Sequence, residues 1–274
     1  MPNLEASALF SESPRVIYER NPLHEVICQL QFPPILKIVG DSPFQFQEAI
    51  RARFPSLQER FQDVEAPPGV PATVLEMLRG LAKRQVIGYE FMSEDGRWKV
   101  ALTRDFLAIS TSRYSRWEEF QEQLTLPLKA LVEVYNPSFF SRVGLRYQNL
   151  IRRSVLGLAP NMNWSELICP HVAGLLATPQ HASVAEYQVS AEINLPDQES
   201  NVRMTSGLVR LSSSHDEQCF LIDNDFYTEK KTHASDINTT LGYFNQLSGK
   251  LFRWCIKEEL HGVMRPSSVS LDKP

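Results

Sequence analysis

Apolar and polar residues alternate with a period of two in several short runs of the chain and recur at helical spacing in longer ones. After Pro22 the run "LHEVICQLQF" places Val26, Cys28, Leu30 and Phe32 on one side. Glu25, Ile27, Gln29 and Gln31 take the other, which predicts a strand. Pro33-Pro34 ends it, because proline cannot donate to a ladder. A helix is predicted from Ser42 as N-cap and Pro43 as first helical residue, with Phe46, Ile50 and Phe54 on one face until Pro55 interrupts. A proline-rich loop is expected from Ala66 to Pro71. "VIGYEFMS", "RWKVALTR" and "DFLAISTS" read as strands, the first two joined by a turn at "EDG".

Residues 115–135 carry an apolar stripe of Trp117, Phe120, Leu124, Leu128, Leu131 and Tyr135. Ser115 and Glu118 have the spacing of a capping box, and Pro127 is expected to bend or split the helix. "FFSRVGLRYQNLI" returns as a strand. Residues 152–182 are less regular, with a short helix near "NWSELICP". "VAEYQVSAEINL", "SGLVRLSS" and "QCFLIDNDFY" predict further strands. A closing helix over about 236–262 is capped by Ser235 or Asp236, and Ile237, Leu241, Phe244, Leu247 or Leu251, Phe252 and Ile256 form its apolar face.

Consecutive strands followed by one long helix, twice over, predict an α+β fold: a mainly antiparallel sheet packed by two long amphipathic helices. A parallel doubly wound sheet would need a helix between nearly every pair of strands. One domain over 15–264 is expected, with loosely similar halves at 15–151 and 183–264 and loose tails at 1–14 and 265–274.

The composition narrows the function classes. The 274 residues are 43% hydrophobic and 22% charged, ordinary for a globular protein with a real core. A net charge of −4 argues against a general binder of nucleic acid or of anionic membranes. No apolar run is long enough to span a bilayer, and the acidic N-terminus lacks the order of a signal peptide. Cys28, Cys169, Cys219 and Cys255 share no CxxC spacing, so buried thiols in a reducing, cytoplasmic setting are expected.

Asn21-Pro22-Leu23 with Glu25, Tyr114 with Trp117, Arg142-x-Gly144-Leu145-Arg146-Tyr147-x-Asn149 and Asp223-x-Asp225 carry a resemblance. Across residues 18 to about 262, the chain resembles a sporadically distributed family of uncharacterised prokaryotic proteins of similar length. The resemblance implies one continuous architecture and no established activity. The scattered occurrence of the family implies accessory genes, such as defence or toxin-neutralising cassettes.

Motifs of chemistry are sparse. Pro196-Asp197 with Glu229-x-Lys231 has the residue types of a metal-dependent nuclease. However, the first pair reads as a turn and Glu229 lies past a strand end. Asp223 and Asp225 share a strand face and could hold a divalent ion in a nuclease or phosphoesterase. No histidine or third carboxylate stands at ligand spacing, so a salt-bridged pair is the plainer reading and no metal or cofactor is expected. His24-Glu25 lacks a nucleophile nearby, GxSxG is absent, and there is no glycine-rich phosphate cradle.

The candidate binding residues are therefore Glu25, Arg142, Arg146, Asn149, Asp223 and Asp225. In the run "RVGLRYQNLI", Arg142, Gly144, Arg146 and Gln148 share one face, and Val143, Leu145, Tyr147, Asn149 and Ile151 share the other. Gly144 leaves room between the arginines. Either a carboxylate of this chain, with Glu25 and Asp223 foremost, or an anionic ligand or acidic partner surface fills it. A non-enzymatic interaction protein is the leading expectation, its partner another protein encoded nearby.

Overall fold

The structure, a computed structural model, describes residues 9–10, 12–61, 85–210 and 217–268. The expected loop at Ala66–Pro71 lies outside the described residues, as do 1–8 and 269–274. The fold is α+β. The strands are β1 (Val16–Tyr18), β2 (Leu23–Gln31), β3 (Ser56–Phe61), β4 (Val86–Met92), β5 (Trp98–Thr103), β6 (Phe106–Thr111), β7 (Arg142–Ile151), β8 (Gln188–Asn194), β9 (Ser200–Arg210), β10 (Gln218–Thr228) and β11 (Pro266–Ser268). The helices are α1 (Lys37–Gly40), α2 (Phe44–Ile50), α3 (Trp117–Tyr135), the short α4 (Arg153–Leu156), α5 (Trp164–Leu167) and α6 (Pro170–Ala173), then α7 (Ile237–Cys255) and α8 (Glu258–Val263).

Nine strands form one antiparallel sheet in the order β3-β4-β5-β6-β2-β7-β10-β9-β8. This order contains a repeat. In the first unit, β2 is followed by α2, then by the meander β3 to β6, and β6 returns to pair with β2 before α3 begins. In the second, β7 is followed by short helices, then by β8 to β10, and β10 returns to β7 before α7 begins. Cys28 lies opposite Ile109 as Leu145 lies opposite Phe226, and α3 and α7 are each 19 residues long. The two opening strands pair antiparallel with each other, Cys28 against Leu145. With both long helices on one sheet face, this relates the units by a pseudo-two-fold axis between β2 and β7. The second unit has one strand fewer.

The alternation in sequence explains the packing. Val26, Cys28 and Leu30 of β2 and Val143, Leu145 and Ile151 of β7 are fully buried on the helix side. Phe220, Ile222 and Phe226 of β10 are buried with them. On α3, Phe120 meets Trp98 of β5 with ring centroids 5.6 Å apart; on α7, Phe244 meets Phe226 at 6.2 Å. Tyr147 reaches past the core and donates from its hydroxyl to Asn245 Oδ1 at 3.0 Å, which fixes α7 over the centre of the sheet. Side chains of this size each contribute roughly 1.5–3 kcal/mol on burial, so the two helices cannot leave their faces uncovered. Burial also pushes the thiols of Cys28 and Cys255 up, which makes them poor nucleophiles.

Several expectations are corrected. The N-terminal arm is not wholly loose: Phe10 is buried, its ring 5.8 Å from that of Trp254, and Glu12 pairs with Lys250 at 2.7 Å. Nor is the C-terminal tail loose from 265, since β11 pairs with β1. Helix α3 passes through Pro127 unbroken; the proline is buried on the packed face, where its contacts offset one lost hydrogen bond. Ser115 bonds Glu119, and Glu118 pairs with Arg15 at 2.8 Å, so the expected capping box is replaced by tertiary contacts. The closing helix breaks at Ile256, which forms a bridge to Ile168, while Cys169 and Lys257 donate backbone bonds of 2.9 Å to Cys255 and Leu167. Those partners lie about ninety residues upstream, invisible to local periodicity. Residues 56–61, left unassigned by the pattern, form the edge strand β3.

Among the described residues, no helix is long and apolar enough to cross a membrane.

Because β2 and β7 pair at the centre, neither repeat unit completes its own sheet edge. The chain is expected to unfold in urea in one transition, with coincident near-UV and far-UV circular dichroism. Two separated transitions, or two stable proteolytic fragments divided between residues 152 and 182, would show independent domains instead.

Candidate functional site

The face of the sheet opposite the helices is polar across its second half. Parity in β7 and β10 puts Arg142, Arg146, Gln148, Asp223, Asp225 and Tyr227 on it, with Glu25 beside them on β2, opposite Gln148. Arg146 grips Asp223 with two prongs, Nε to Oδ1 at 2.8 Å and Nη2 to Oδ2, and Gln148 Nε2 donates to Asp223 Oδ2 at 3.3 Å. The acid is the buried member: its side chain is 8% exposed, against 43% for that of Arg146. A buried carboxylate needs such partners, because desolvation without them costs several kcal/mol. The Asp223 hydrogen bonds in turn hold the Arg146 pKa above its ordinary value.

Arg142 has a different route. Tyr227 stands opposite Gly144 in the register, and the Arg142 guanidinium crosses that point, 4.8 Å from the Tyr227 ring centroid, to reach Asp225 Oδ2 at 2.8 Å. Its Nη1 also donates to Gln29 Oε1 at 3.4 Å. A Cβ at position 144 would collide with Arg142 Nη1 and approach Cζ to 3.1 Å. The space left by Gly144 is therefore filled by Arg142 itself. The pairing of arginines with this chain's own acids is present, with Asp225 in the second role. Glu25 attracts Arg146 from a longer range without bonding it.

Asn149 does not join this group. It faces the core, 4% exposed, and donates to the Ile222 carbonyl at 3.3 Å. The nuclease-like residues are also occupied elsewhere. Asp197 accepts from the Ser200 backbone at 3.1 Å and from its hydroxyl at 2.7 Å, as a turn residue does. Glu229 is exposed beyond β10.

Register extends the network to residues that inspection of the chain missed. Arg203 on β9 lies opposite Asp225, and Glu192 on β8 lies opposite Arg203. Arg203 donates to Glu192 Oε2 at 3.0 Å, and Tyr227 donates its hydroxyl to Glu192 Oε1 at 2.8 Å. These bonds hold the Glu192 pKa below its ordinary value, the Tyr227 bond foremost. The result is a row, Arg146, Asp225, Arg203, Glu192, of alternating sign across four strands. Glu192 falls in the strand predicted at residues 184–195, whereas the strand predicted at 206–213 begins past Arg203, and only strand order could bring the four together.

The chemistry open to this face is limited. Each of the two aspartates already accepts from a guanidinium, and among the described residues no group of His, Cys, Asp and Glu is arranged to hold a metal ion. No protein-family model matches the chain, and no curated protein matches it.

Arg146→Ala is expected to destabilise by about 1–2 kcal/mol, with water screening keeping the loss below that of a fully buried pair. Adding Asp223→Asn should restore much of the loss, because it removes the stranded charge. Gly144→Ala should cost about 1–2 kcal/mol by expelling the Arg142 guanidinium, yet almost nothing in an Arg142→Ala background. Urea midpoints of the single and double variants measure both couplings; additive losses would show that the contacts carry no energy.

Proposed function

We propose that the protein acts by binding another protein and performs no catalysis of its own, the contact surface being the polar sheet face around Glu25, Arg146, Arg203 and Glu192. The observation that carries this reading is the internal pairing of the charges. Arginine and acid hold each other in fixed positions while Arg146, Arg203 and Glu192 keep 43%, 56% and 47% side-chain exposure. Fixed, half-exposed charges of both signs set register and partner choice on a complementary protein surface. A polyanion would meet as much repulsion as attraction there, and the chain's net charge of −4 adds to the repulsion.

Among the described residues, no nucleophile, base and orienting group converge on this face. A metal-dependent hydrolase using Asp223 and Asp225 would first have to strip both from their arginines. An anion taken by Arg142 and Arg146 would have to displace the same acids. At the end of the sheet, β8 is mostly exposed and adds an edge to which an extended segment of a partner could pair. The resemblance to a family scattered among accessory genes supports a partner encoded beside this protein, in a defence or toxin-control setting.

The test is co-purification with the product of the adjacent gene. The double substitution Glu192→Gln with Arg203→Gln removes both half-exposed charges without setting a second acid opposite Asp225, so the protein should stay folded by circular dichroism and bind roughly tenfold or more weakly. Unchanged affinity in this double variant would move the interface elsewhere. Turnover of nucleic acid or a phosphoester with Mg²⁺ or Mn²⁺, abolished by Asp223→Ala, would replace the binding reading with the hydrolase one.

A further inference from the structure

A second polar centre lies in the segment that joins β7 to β8, around a buried arginine that forms no salt bridge with the described residues. Arg153 follows directly on β7 and is 8% exposed. Its guanidinium sits 3.6 Å from the ring centroid of Trp164, itself 5% exposed and backed by Phe220 at 5.5 Å. The Asn163–Glu166 capping box holds the start of α5, and with it Trp164, in place.

A guanidinium carries five donors and no acceptor. Here Nη1 donates to the Gln218 carbonyl at 3.4 Å, a long contact, and Nε has no partner. The indole Nε1 of Trp164, also an obligate donor, has none either. Among the described residues Arg153 makes no ion pair. The acid that acts on it, Glu217, accepts from the Ser154 backbone at 2.9 Å and lies 3.8 Å from Arg152. Burial accordingly pushes the Arg153 pKa down. The aromatic face offsets part of the cost of burying the cation, but it supplies no acceptor to the guanidinium edge.

Arg153 and Trp164 line a cavity of about 480 Å³, with Arg210, His181 and Asn161 on other parts of its wall and no carboxylate among its lining residues. That volume falls within the roughly 300–1,000 Å³ of small-molecule sites. A buried arginine whose guanidinium makes one long hydrogen bond, with no acid among the described lining residues, leaves this site short of an acceptor.

We infer that this cavity binds a small organic molecule bearing phosphate or carboxylate, anchored by Arg153. The fork of the guanidinium matches either oxyanion, and Trp164 holds it in one orientation. This site is independent of the sheet-face reading, and neither depends on the other.

The experiment is calorimetry and thermal shift on the full chain at constant ionic strength, with inorganic phosphate, pyrophosphate, a nucleoside diphosphate and malonate as probes. At least one oxyanion is expected to bind and raise Tm; the phosphate and malonate arms distinguish the two ligand chemistries. Arg153→Met should weaken binding roughly tenfold to a hundredfold, the loss of a charged hydrogen-bonding anchor. Arg203→Gln, on the sheet face, should leave it unchanged. Where Arg153→Met does not fold, Arg153→Lys keeps the charge but loses the fork and should show the weakening. No binding by any probe at millimolar concentration overturns the assignment. So does wild-type affinity in whichever Arg153 variant folds, or equal loss in Arg203→Gln.

Discussion

The antiparallel pairing of β2 with β7 is the constraint on which the rest of the structure depends. Each of these strands opens a repeat unit, and each is covered on its other side by the last strand of its own unit. Their mutual ladder removes what would otherwise be an unpaired central edge in both units, and edges of that kind invite association with other chains. The register, Cys28 against Leu145, then fixes every other row across nine strands, because a slip by one residue would turn each apolar face toward water. The long helices follow from the same register. Once the sheet presents Val26, Cys28, Leu145 and Phe226 on one side, α3 and α7 have a single surface on which to bury their stripes.

Placing both helices on one side leaves the other to polar groups, and the two halves of that face differ. The position equivalent to Arg146 in the first unit is Gln29, and the equivalent of Asp225 is Ala108, so the charged row belongs to the second unit alone. The two units share a scaffold and differ at a few outward positions, which carry the network in the second unit. Each outward charge needs a partner, since an isolated charge on a strand with 8% exposure would be costly. Gly144 is part of that solution: its lack of a side chain lets Arg142 cross to Asp225 over Tyr227.

The two polar centres of the molecule are opposites in electrostatic terms. On the sheet face, arginine and acid satisfy each other, and what remains is a rigid pattern of sign presented to the surroundings. Around Arg153, a cation is buried against an aromatic ring with one long hydrogen bond, beside a cavity with no acid among its described lining residues. A paired network contributes specificity through its geometry, whereas an unpaired buried cation stores an unmet demand for an acceptor.

Local pattern determined a good deal. Period-two alternation placed β2, β4, β5, β6, β7, β8 and β10, and apolar stripes placed α3 and α7, because those faces are one-sided and the signal is repeated over many residues. The same parity put Arg142 and Arg146 on one face of β7 and Asp223 and Asp225 on one face of β10. Strand order was decided only in three dimensions. Nothing local in β9 or β8 says that Arg203 completes a row with Asp225, or that Glu192 completes it in turn. The break of the closing helix at Ile256 also needed the distant segment around Ile168, whose backbone supplies the bonds. Arg153 was illegible for a related reason: a lone arginine in an irregular segment has no period to read. Its meaning comes from Trp164, Gln218 and a cavity wall that only tertiary packing brings together, since burial and unmet hydrogen bonds are properties of a surrounded atom and not of a residue type.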